Sequence, residues 1–344
     1  MGNDCHKTIL LSDTTLRDGN HAVSHQLKQE DIAGYCALAE NAGIPIVEVG
    51  HGNGLGASSL QVGLSACDDR TMLETARKYL VRTKLGIHVI PGFATIEKDL
   101  VPALALGVDV IRVASHCTEA DITKRHIIYC RKQGKTVFGV LMMSHMADVS
   151  LLCEEAKKME DYGAEAVIIM DSAGAYLPAD VRERVGALKN SLGISIGFHA
   201  HNNLGMGIAN TIAAFEAGAS LVDGSIRGFG AGAGNAQLEV LIAVLEKMGI
   251  KTGVDLYKVL DVSEYAQSTF IKVLPTIKSF SIISGLSGVF SGFEKPVLRA
   301  AAEQNVDPRE IFMRLGLRKV VAGQEDLILE VAQEIKNTMG VKNG

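Results

Sequence analysis

The chain has 344 residues, of which 47% are hydrophobic and 21% are charged, and its formal net charge is −5. This is the composition of a globular protein with a large core. Its lysines and arginines are spread along the chain, which argues against a nucleic-acid-binding surface. No apolar run approaches the roughly 18 residues that a membrane-spanning helix needs. The six cysteines are scattered without a Cys-x-x-Cys pair, so we expect reduced thiols and a cytoplasmic protein.

Short apolar, β-branched segments alternate with longer amphipathic ones along most of the chain. The short segments predict eight strands, at Ile9–Ser12, Ile46–Val49, Leu85–Ile90, Val108–Ala114, Thr136–Met142, Ala166–Met170, Ser195–Phe198 and Leu221–Ile226. The amphipathic segments predict helices, among them Gln29–Ala42, Met72–Val81, Ala120–Gln133, Val149–Tyr162, Pro178–Leu192 and Gly207–Ala217. Eight such units in about 240 residues predict an α/β fold, a (β/α)8 TIM barrel. The alternative is an open doubly wound sheet, but its Gly-x-Gly-x-x-Gly fingerprint is missing after the first strand.

The alternation of strands and helices stops near residue 240. Helices are predicted beyond it, at Gln237–Met248, Asp255–Ser268, Lys295–Ala302, Pro308–Leu315 and Gln324–Thr338. A Gly/Ser-rich but apolar loop is predicted at Ser284–Phe293. We therefore predict a barrel catalytic domain over residues 1–240 and a helical C-terminal domain over residues 241–344. This C-terminal α-helical extension would lie near the barrel mouth or against a partner.

Two histidines, His199 and His201, stand at the carboxyl end of the seventh predicted strand. Side chains at i and i+2 of a strand point to the same face, about 7 Å apart at Cα. Two imidazoles at that spacing can bind one metal ion. The alternative is that both are ordinary polar residues where a strand ends. Because the active site of a TIM barrel lies at the carboxyl ends of its strands, we predict that they are metal ligands.

The first predicted strand leads into a second group of reactive side chains, Arg17, Asp18 and His21. Asp18 is the predicted third ligand, since a carboxylate and two imidazoles suit a divalent ion such as Mn²⁺, Zn²⁺, Fe²⁺ or Co²⁺. Arg17 can grip a carboxylate or stabilise oxyanion charge; alternatively, it pairs with Glu48. His21 is the candidate general base, because imidazole titrates near neutral pH. Ser172 is a candidate to hydrogen-bond a substrate carboxylate, or it serves the backbone at its strand end.

Three further features bear on the chemistry. A lysine Schiff base is the other route to carbon–carbon cleavage in barrels, but no predicted strand carries a lysine at its carboxyl end, which favours a metal.

The glycine-rich stretch Gly228–Asn235 follows the eighth strand, where barrels often bind phosphate. Its alternative role is a tight loop that lets the backbone approach the metal site. Cys117 is interpreted as a small buried side chain rather than as a nucleophile.

In combination, these motifs resemble one family over nearly the whole chain. The chain is similar to the 4-hydroxy-2-oxovalerate aldolases, class II pyruvate aldolases of the TIM-barrel metallolyase group. The matching segments are Thr15–Gly19 with His21–Val23, Pro91–Gly92, Ser115–Asp121, Met142–Met146, Asp171–Gly174, His199–His201, Gly230–Ala236 and Gly323–Asp326. The resemblance implies a lyase that cleaves a 4-hydroxy-2-oxo acid, such as 4-hydroxy-2-oxopentanoate, to pyruvate and an aldehyde, as in aromatic hydrocarbon catabolism.

The resemblance also implies a cofactor, residue roles and a partner. The cofactor is usually Mn²⁺, and its implied ligands are Asp18, His199 and His201. Arg17 would stabilise the pyruvate enolate, Ser172 would help to hold the carboxylate, and His21 would remove the C4 hydroxyl proton. The implied partner is an acylating acetaldehyde dehydrogenase that receives the aldehyde through a channel, with the helical extension contributing to the contact. We also expect an oligomer.

Two positions depart from the family pattern and bear on the aldehyde that is accepted. Phe290 stands in Gly288–Phe293 where the family usually has a tyrosine, whose phenol is associated with stereochemical control at C4. His88 interrupts a third strand that is typically apolar near its end. If His88 faces inward, the acceptor pocket is more polar; the alternative is an outward-facing histidine beneath a helix.

Two other functions remain open at this point. The nearest is an acyl-CoA-dependent condensing enzyme or acyl-CoA lyase on the same metal-binding barrel, although such synthases carry longer C-terminal regions than the hundred or so residues here. The second is a non-catalytic scaffold subunit for a dehydrogenase. The complete ligand set argues against this scaffold function.

Overall fold

The computed structural model describes residues 9–321 and 323–342 and, for residues 339–342, the backbone only. Eight strands form a closed parallel barrel in which every strand pairs with its neighbours in the sequence. They are β1 (Leu10–Asp13), β2 (Ile46–Glu48), β3 (Lys84–Val89), β4 (Val110–His116), β5 (Thr136–Met142), β6 (Ala166–Asp171), β7 (Ser195–Ala200) and β8 (Leu221–Gly224). The pairing of Leu10 with Leu221 closes the barrel. The predicted TIM barrel is confirmed.

The barrel helices are α1 (Gln29–Ala42), α2 (Asp69–Tyr79), α3 (Val101–Ala105), α4 (Lys124–Lys132), α5 (Val149–Asp161), α6 (Pro178–Ser191), α7 (Gly207–Glu216) and α8 (Leu238–Lys247). Their boundaries follow local chemistry: Asp68 caps the first turn of α2 by accepting a hydrogen bond from the Thr71 amide. At the carboxyl end of α1, Gly43 adopts φ +78° and terminates the helix in the left-handed conformation that favours glycine.

The C-terminal extension is helical, as predicted, and consists of α9 (Leu256–Thr269), α10 (Ser279–Ser287), α11 (Glu294–Gln304), α12 (Pro308–Leu317) and α13 (Asp326–Lys342). One local prediction was wrong. The segment predicted as a loop from Ser284 begins inside α10, which ends at Gly288 with φ +70°. Serine and glycine are poor helix formers, so tertiary packing decides the structure of this segment rather than local propensity.

The hydrophobic core changes along the extension. Apolar side chains of α8 and α9, such as Leu241 and Val259, belong to the same buried cluster as the outer face of the barrel. Buried side chains of α11, α12 and α13, such as Val297, Ile311 and Val331, form a separate cluster. In their packing, α8 and α9 therefore belong to the barrel, although α9 and most of α8 lie beyond residue 240. The functional division into residues 1–240 and 241–344 stays a prediction.

The barrel interior changes from apolar to charged toward the carboxyl ends of the strands. Ile46, Val110 and Leu221 lie in a buried apolar layer. Two residues further along the same strands stand Glu48, Arg112 and Asp223, which are also fully buried. Since alternate residues of a strand share a face, these charged side chains point into the barrel just above the apolar layer. They form the floor of the site described next.

In the parts of the chain that the structure describes, no helix combines the length and apolarity required to cross a membrane. Within the same residues, the cysteines at positions 36, 67, 117, 130 and 153 are free thiols. Cys5 lies outside the described residues.

Candidate metal centre and active site

The three predicted metal ligands lie together at the carboxyl ends of β1 and β7. Ligand atoms of Asp18, His199 and His201 are all within 4.8 Å of one another, and all three side chains are buried. His199 is the penultimate residue of β7 and His201 follows the strand directly. Asp18 begins a short 3₁₀ helix, Asp18–Val23, shortly after β1. This arrangement could hold one cation.

Hydrogen bonds leave buried lone pairs available at this cluster. Nδ1 of His199 donates to Oδ2 of Asp223 at 2.8 Å, and Nε2 of His199 has no hydrogen-bond partner among the described residues. Asn235 donates from Nδ2 to Oδ2 of Asp18 at 2.7 Å, while its buried Oδ1 likewise has no partner in the described part of the chain. Buried polar atoms are rarely left unpaired, so these residues fit a bound divalent cation.

The protonation states of the cluster also suit a cation. Burial opposes ionisation of Asp18, but the guanidinium of Arg17, followed by the nearby imidazoles, outweighs burial and lowers the pKa of Asp18. Burial lowers the pKa of His201 to about 4, although Asp18 acts in the opposite direction. At neutral pH the site therefore presents an ionised carboxylate and a neutral imidazole, which are the ligand forms that metals bind.

Arg17 is held in place by both flanking acids. Its Nη1 lies 2.9 Å from Oδ1 of Asp18 and its Nη2 lies 3.2 Å from Oε2 of Glu48. The carbonyl of Gly52 accepts a third hydrogen bond from Nη1, at 3.3 Å. The salt bridge to Glu48 that the sequence allowed as an alternative is thus present. It does not exclude a role in binding charge, because the guanidinium is fixed directly beside the candidate ligand Asp18.

His21 lies on the same 3₁₀ helix, in a cluster of histidines that sequence reasoning did not identify. Its ring centroid is 5.0 Å from that of His25 and 6.5 Å from that of His51, and the rings of His25 and His51 are stacked at 3.6 Å. A Cβ atom at Gly52 would lie 2.5 Å from the His21 ring, so the close approach requires glycine there. Burial lowers the pKa of His21, with Asp18 partly offsetting it. A neutral imidazole beside Asp18 is suited to accept a proton.

His88 faces the inside of the barrel, which decides between the two orientations that the sequence left open. It pairs in register with Arg112 of β4, it is only 2% exposed, and its Nδ1 lies 3.5 Å from Oε1 of Glu48. Burial, followed by the charge of Arg17, lowers the pKa of His88 to about 4. A neutral, polar ring therefore stands in the wall near Arg17.

Ser172 and Phe290 contact residues other than the three candidate ligands. Ser172 follows β6, and its Oγ accepts a hydrogen bond from the amide of Met143 at 2.9 Å. It therefore serves the backbone, and its hydroxyl proton is still available to a ligand. The ring of Phe290 packs at 5.6 Å from that of Phe293, against the apolar cluster of the C-terminal helices. Substrate-binding roles for both residues stay predictions.

The glycine-rich loop after β8 comes very close to the ligands. A Cβ atom at Gly230 would lie 2.7 Å from Oδ2 of Asp18, and one at Gly232 would lie 2.4 Å from Oγ of Ser291. This supports the interpretation of the segment as a tight loop that brings backbone to the metal site, in preference to a phosphate cradle. The loop also contacts Asn203, whose Oδ1 accepts from the Ala233 amide at 3.0 Å.

Asn203 joins this loop to the C-terminal helices. Its Nδ2 lies within hydrogen-bond distance of three oxygens, the carbonyl of Ala173 at 2.9 Å, Oγ of Ser284 at 3.1 Å and Oγ of Ser291 at 3.0 Å. Asn203 stands two residues after His201. The segment that follows β7 and carries the candidate ligand His201 is therefore hydrogen-bonded to residues of the extension.

Sequence reasoning missed Arg112, Asp223 and Asn235 as members of the site. A signal was present for the first two, because a charged residue at an inward position of an otherwise apolar barrel strand must find a buried partner. Asn235 lies in the glycine-rich stretch, and nothing in its local pattern indicates that it contacts Asp18.

Comparison with known proteins identifies the family. The HMGL-like family model matches residues 8–265, and the model of the DmpG-like communication domain matches residues 275–337. The chain is 72% identical to a 4-hydroxy-2-oxovalerate aldolase from Spirochaeta aurantia, over 98% of this chain and 99% of that relative. It is 59% identical to one from Pectobacterium atrosepticum, with the same two coverages.

A solved structure supports the fold alone. The carboxyl transferase domain of Rhizobium etli pyruvate carboxylase, in a structure with pyruvate, is 19% identical, with a TM-score of 0.80 over 96% of this chain and 61% of that chain. The identities to the two aldolases, in contrast, extend over almost the full length of this chain and of each relative, and these relatives are carbon–carbon lyases by name. They do not favour the acyl-CoA-dependent alternative. The chain belongs to the 4-hydroxy-2-oxovalerate aldolase family.

Proposed function

We propose that the protein cleaves 4-hydroxy-2-oxopentanoate to pyruvate and acetaldehyde, with Mn²⁺ held by Asp18, His199 and His201. The observation that carries the proposal is the buried ligand cluster with Arg17 fixed against it. The names of the relatives support the substrate. A divalent cation bound there would supply a Lewis acid that polarises the 2-oxo group.

In this proposal, each residue around the ligand cluster has a separate role in the cleavage. An imidazole nitrogen of His21 accepts the proton of the C4 hydroxyl, the C3–C4 bond breaks, and C4 becomes the carbonyl of the aldehyde. The electron pair of the broken bond passes to the pyruvate part as an enolate, whose developing charge the guanidinium of Arg17 stabilises. Protonation at C3 then gives pyruvate. The hydroxyl of Ser172 donates to the substrate carboxylate.

The aldehyde side of the site is formed by His88 and Phe290 in this proposal. The inward, neutral ring of His88 supports a more polar acceptor pocket than an apolar residue would give. Phe290 brings no hydroxyl group, so stereochemical control at C4 would rest on shape rather than on a phenol hydrogen bond.

We also propose that an acylating acetaldehyde dehydrogenase binds the C-terminal extension and receives the aldehyde, and that the protein is an oligomer. The communication-domain match supports this partner, and the hydrogen bonds from Asn203 to Ser284 and Ser291 support an extension that covers the site. A cytoplasmic location stays a prediction.

The test is pyruvate release from 4-hydroxy-2-oxopentanoate, followed with a coupled dehydrogenase. Metal-stripped protein should be inactive, and added Mn²⁺ should restore turnover. Full activity after thorough metal removal would overturn the mechanism. Release of free thiol from acetyl-CoA in the presence of a 2-oxo acid, without pyruvate production, would instead indicate the condensing enzyme.

A further inference from the structure

Among the residues that the structure describes, Arg112 is the largest fully buried side chain, and it spans the barrel interior. From β4 its Nη1 reaches Oε2 of Glu48 on β2, at 3.2 Å, and its Nη2 reaches Oδ2 of Asp223 on β8, at 2.5 Å. Barrel interiors are usually filled by branched apolar side chains. A buried ion pair is seldom a net gain in stability over apolar packing. This guanidinium therefore calls for an explanation other than stability.

One end of Arg112 leads to a candidate ligand. Oδ2 of Asp223 accepts hydrogen bonds both from Nη2 of Arg112 and from Nδ1 of His199, the latter at 2.8 Å. With Nδ1 donating, the lone pair of His199 lies on Nε2, which is buried without a hydrogen-bond partner among the described residues. Carboxylates that accept from a metal-bound histidine in this way fix both its tautomer and its ring orientation.

The other end of Arg112 leads to the second side of the same cluster. Oε2 of Glu48 lies 3.2 Å from Nη1 of Arg112 and 3.2 Å from Nη2 of Arg17, and Nη1 of Arg17 contacts Asp18 at 2.9 Å. These contacts start and end on two candidate ligands whose ligand atoms lie within 4.8 Å of each other, so together they form a ring. We call it the charge ring, and its members in order are His199, Asp223, Arg112, Glu48, Arg17 and Asp18.

We infer that Asp223 and Arg112 are positioning residues of the metal centre. Asp223 holds His199 as an Nε2 ligand, and Arg112 holds Asp223 in place while it ties that side of the site to Arg17 through Glu48. The inference deepens the proposed function and rests on it for the identity of the metal. It concerns residues to which the family resemblance gives no role.

The first measurement observes the tautomer of His199 directly. In metal-free, full-length protein with ¹⁵N-labelled histidine, His199 should appear as the Nδ1–H tautomer at pH 8, its signals assigned by their loss in His199→Gln. An Nε2–H tautomer for His199 would overturn the inference. In Asp223→Ala, the Nδ1–H preference should disappear, whereas Asp223→Asn retains an acceptor oxygen and should preserve it.

The second measurement is Mn²⁺ binding by calorimetry to the metal-stripped protein. Asp223→Ala should bind Mn²⁺ about 10–100-fold more weakly than the unsubstituted protein, the usual cost of losing such a carboxylate, and Asp223→Asn should recover most of that loss. Glu155→Gln is the matched control, because Glu155 is a buried carboxylate on α5 that accepts from the Ala120 amide, outside the barrel interior. Affinity of Asp223→Ala within twofold of the unsubstituted protein would overturn the inference.

Removing Asp223 alone leaves Arg112 without one of its partners, so a second variant guards against a failure to fold. Arg112→Met with Asp223→Leu replaces the pair by apolar side chains, which buried pairs often tolerate, and Glu48 keeps Arg17. This double variant should fold, as judged by its circular dichroism, and show the same loss of Mn²⁺ affinity. Unsubstituted protein that binds Mn²⁺ but releases no pyruvate would refute the proposed function, while the tautomer and the affinities would still decide the roles of Asp223 and Arg112.

Discussion

Nη1 of Arg17 lies 2.9 Å from Oδ1 of Asp18, so the guanidinium proposed to stabilise the enolate is bonded to its neighbour in sequence. Arg17→Ala should lower kcat by about 10²–10³, the scale for removing one oxyanion donor. Arg77→Ala is the matched control, since Arg77 pairs with Asp109 at the amino end of β4. Steady-state pyruvate release measures both variants. Near-normal turnover of Arg17→Ala would reduce Arg17 to a structural salt bridge.

His21 should be needed for cleavage but not for enolate formation. His21→Asn should lower pyruvate release from the hydroxy acid by roughly 10²–10⁴, the usual contribution of a general base. Decarboxylation of oxaloacetate gives the same enolate without removing a hydroxyl proton, so the variant should retain it. Arg17→Ala should lose both reactions. Equal loss of both in His21→Asn would contradict the assignment of His21 as the base.

His88 should set the preference for the aldehyde. In the condensation direction, His88→Leu should shift the ratio of kcat/KM for propanal to that for glycolaldehyde at least tenfold toward propanal, since pocket changes of this size give about 10–200-fold discrimination. The physical reason is the loss of a buried polar ring beside Glu48. His126→Leu, altered on helix α4 outside the barrel, should leave the ratio unchanged. An unaltered ratio in His88→Leu would remove His88 from the acceptor pocket.

His145 should make stability depend on pH. It donates from Nε2 to the carbonyl of Gly288, at 2.8 Å, and so links the β5 end to the extension. Burial lowers its pKa from the ordinary 6.5 to about 4. Between those values the unfolded chain binds the proton more readily, so this contribution is complete above pH 6.5 and is lost as pH falls toward 4.

The expected loss is at most about 2 kcal/mol between pH 7 and pH 5, at about 1.4 kcal/mol per pKa unit. His145→Gln keeps a donor but does not titrate, so its unfolding free energy should fall less over this range in urea titrations. His126→Gln is the control, because that ring donates to the Ala94 carbonyl without contacting the extension. A pH dependence in His145→Gln identical to that of the unsubstituted protein would exclude the contact as its source.

The features that the sequence predicted correctly are those that depend on local spacing. The strand–helix alternation sets the barrel, and the i, i+2 placement of His199 and His201 needs only one strand to converge. The charge ring could not be predicted, because Arg112 meets Glu48 and Asp223 across the barrel, from strands that are not its neighbours. That meeting depends on the stagger of all eight strands, which no local pattern carries. The helix α10 escaped prediction for the opposite reason: its serines and glycine suggest a loop, and packing overrides them.

The hydrogen bonds of Asn203 limit how the C-terminal helices can be exchanged with those of a relative. The side chain of Asn203, in the loop after β7, binds the glycine-rich loop and two serines of the extension. The barrel and the C-terminal helices therefore cannot be exchanged independently, although α11, α12 and α13 form an apolar cluster of their own. A chimera that takes its last helices from a relative must keep hydrogen-bonding side chains at positions 284 and 291. Without them Asn203 loses these partners, and the change will extend to the segment that carries the candidate ligand His201.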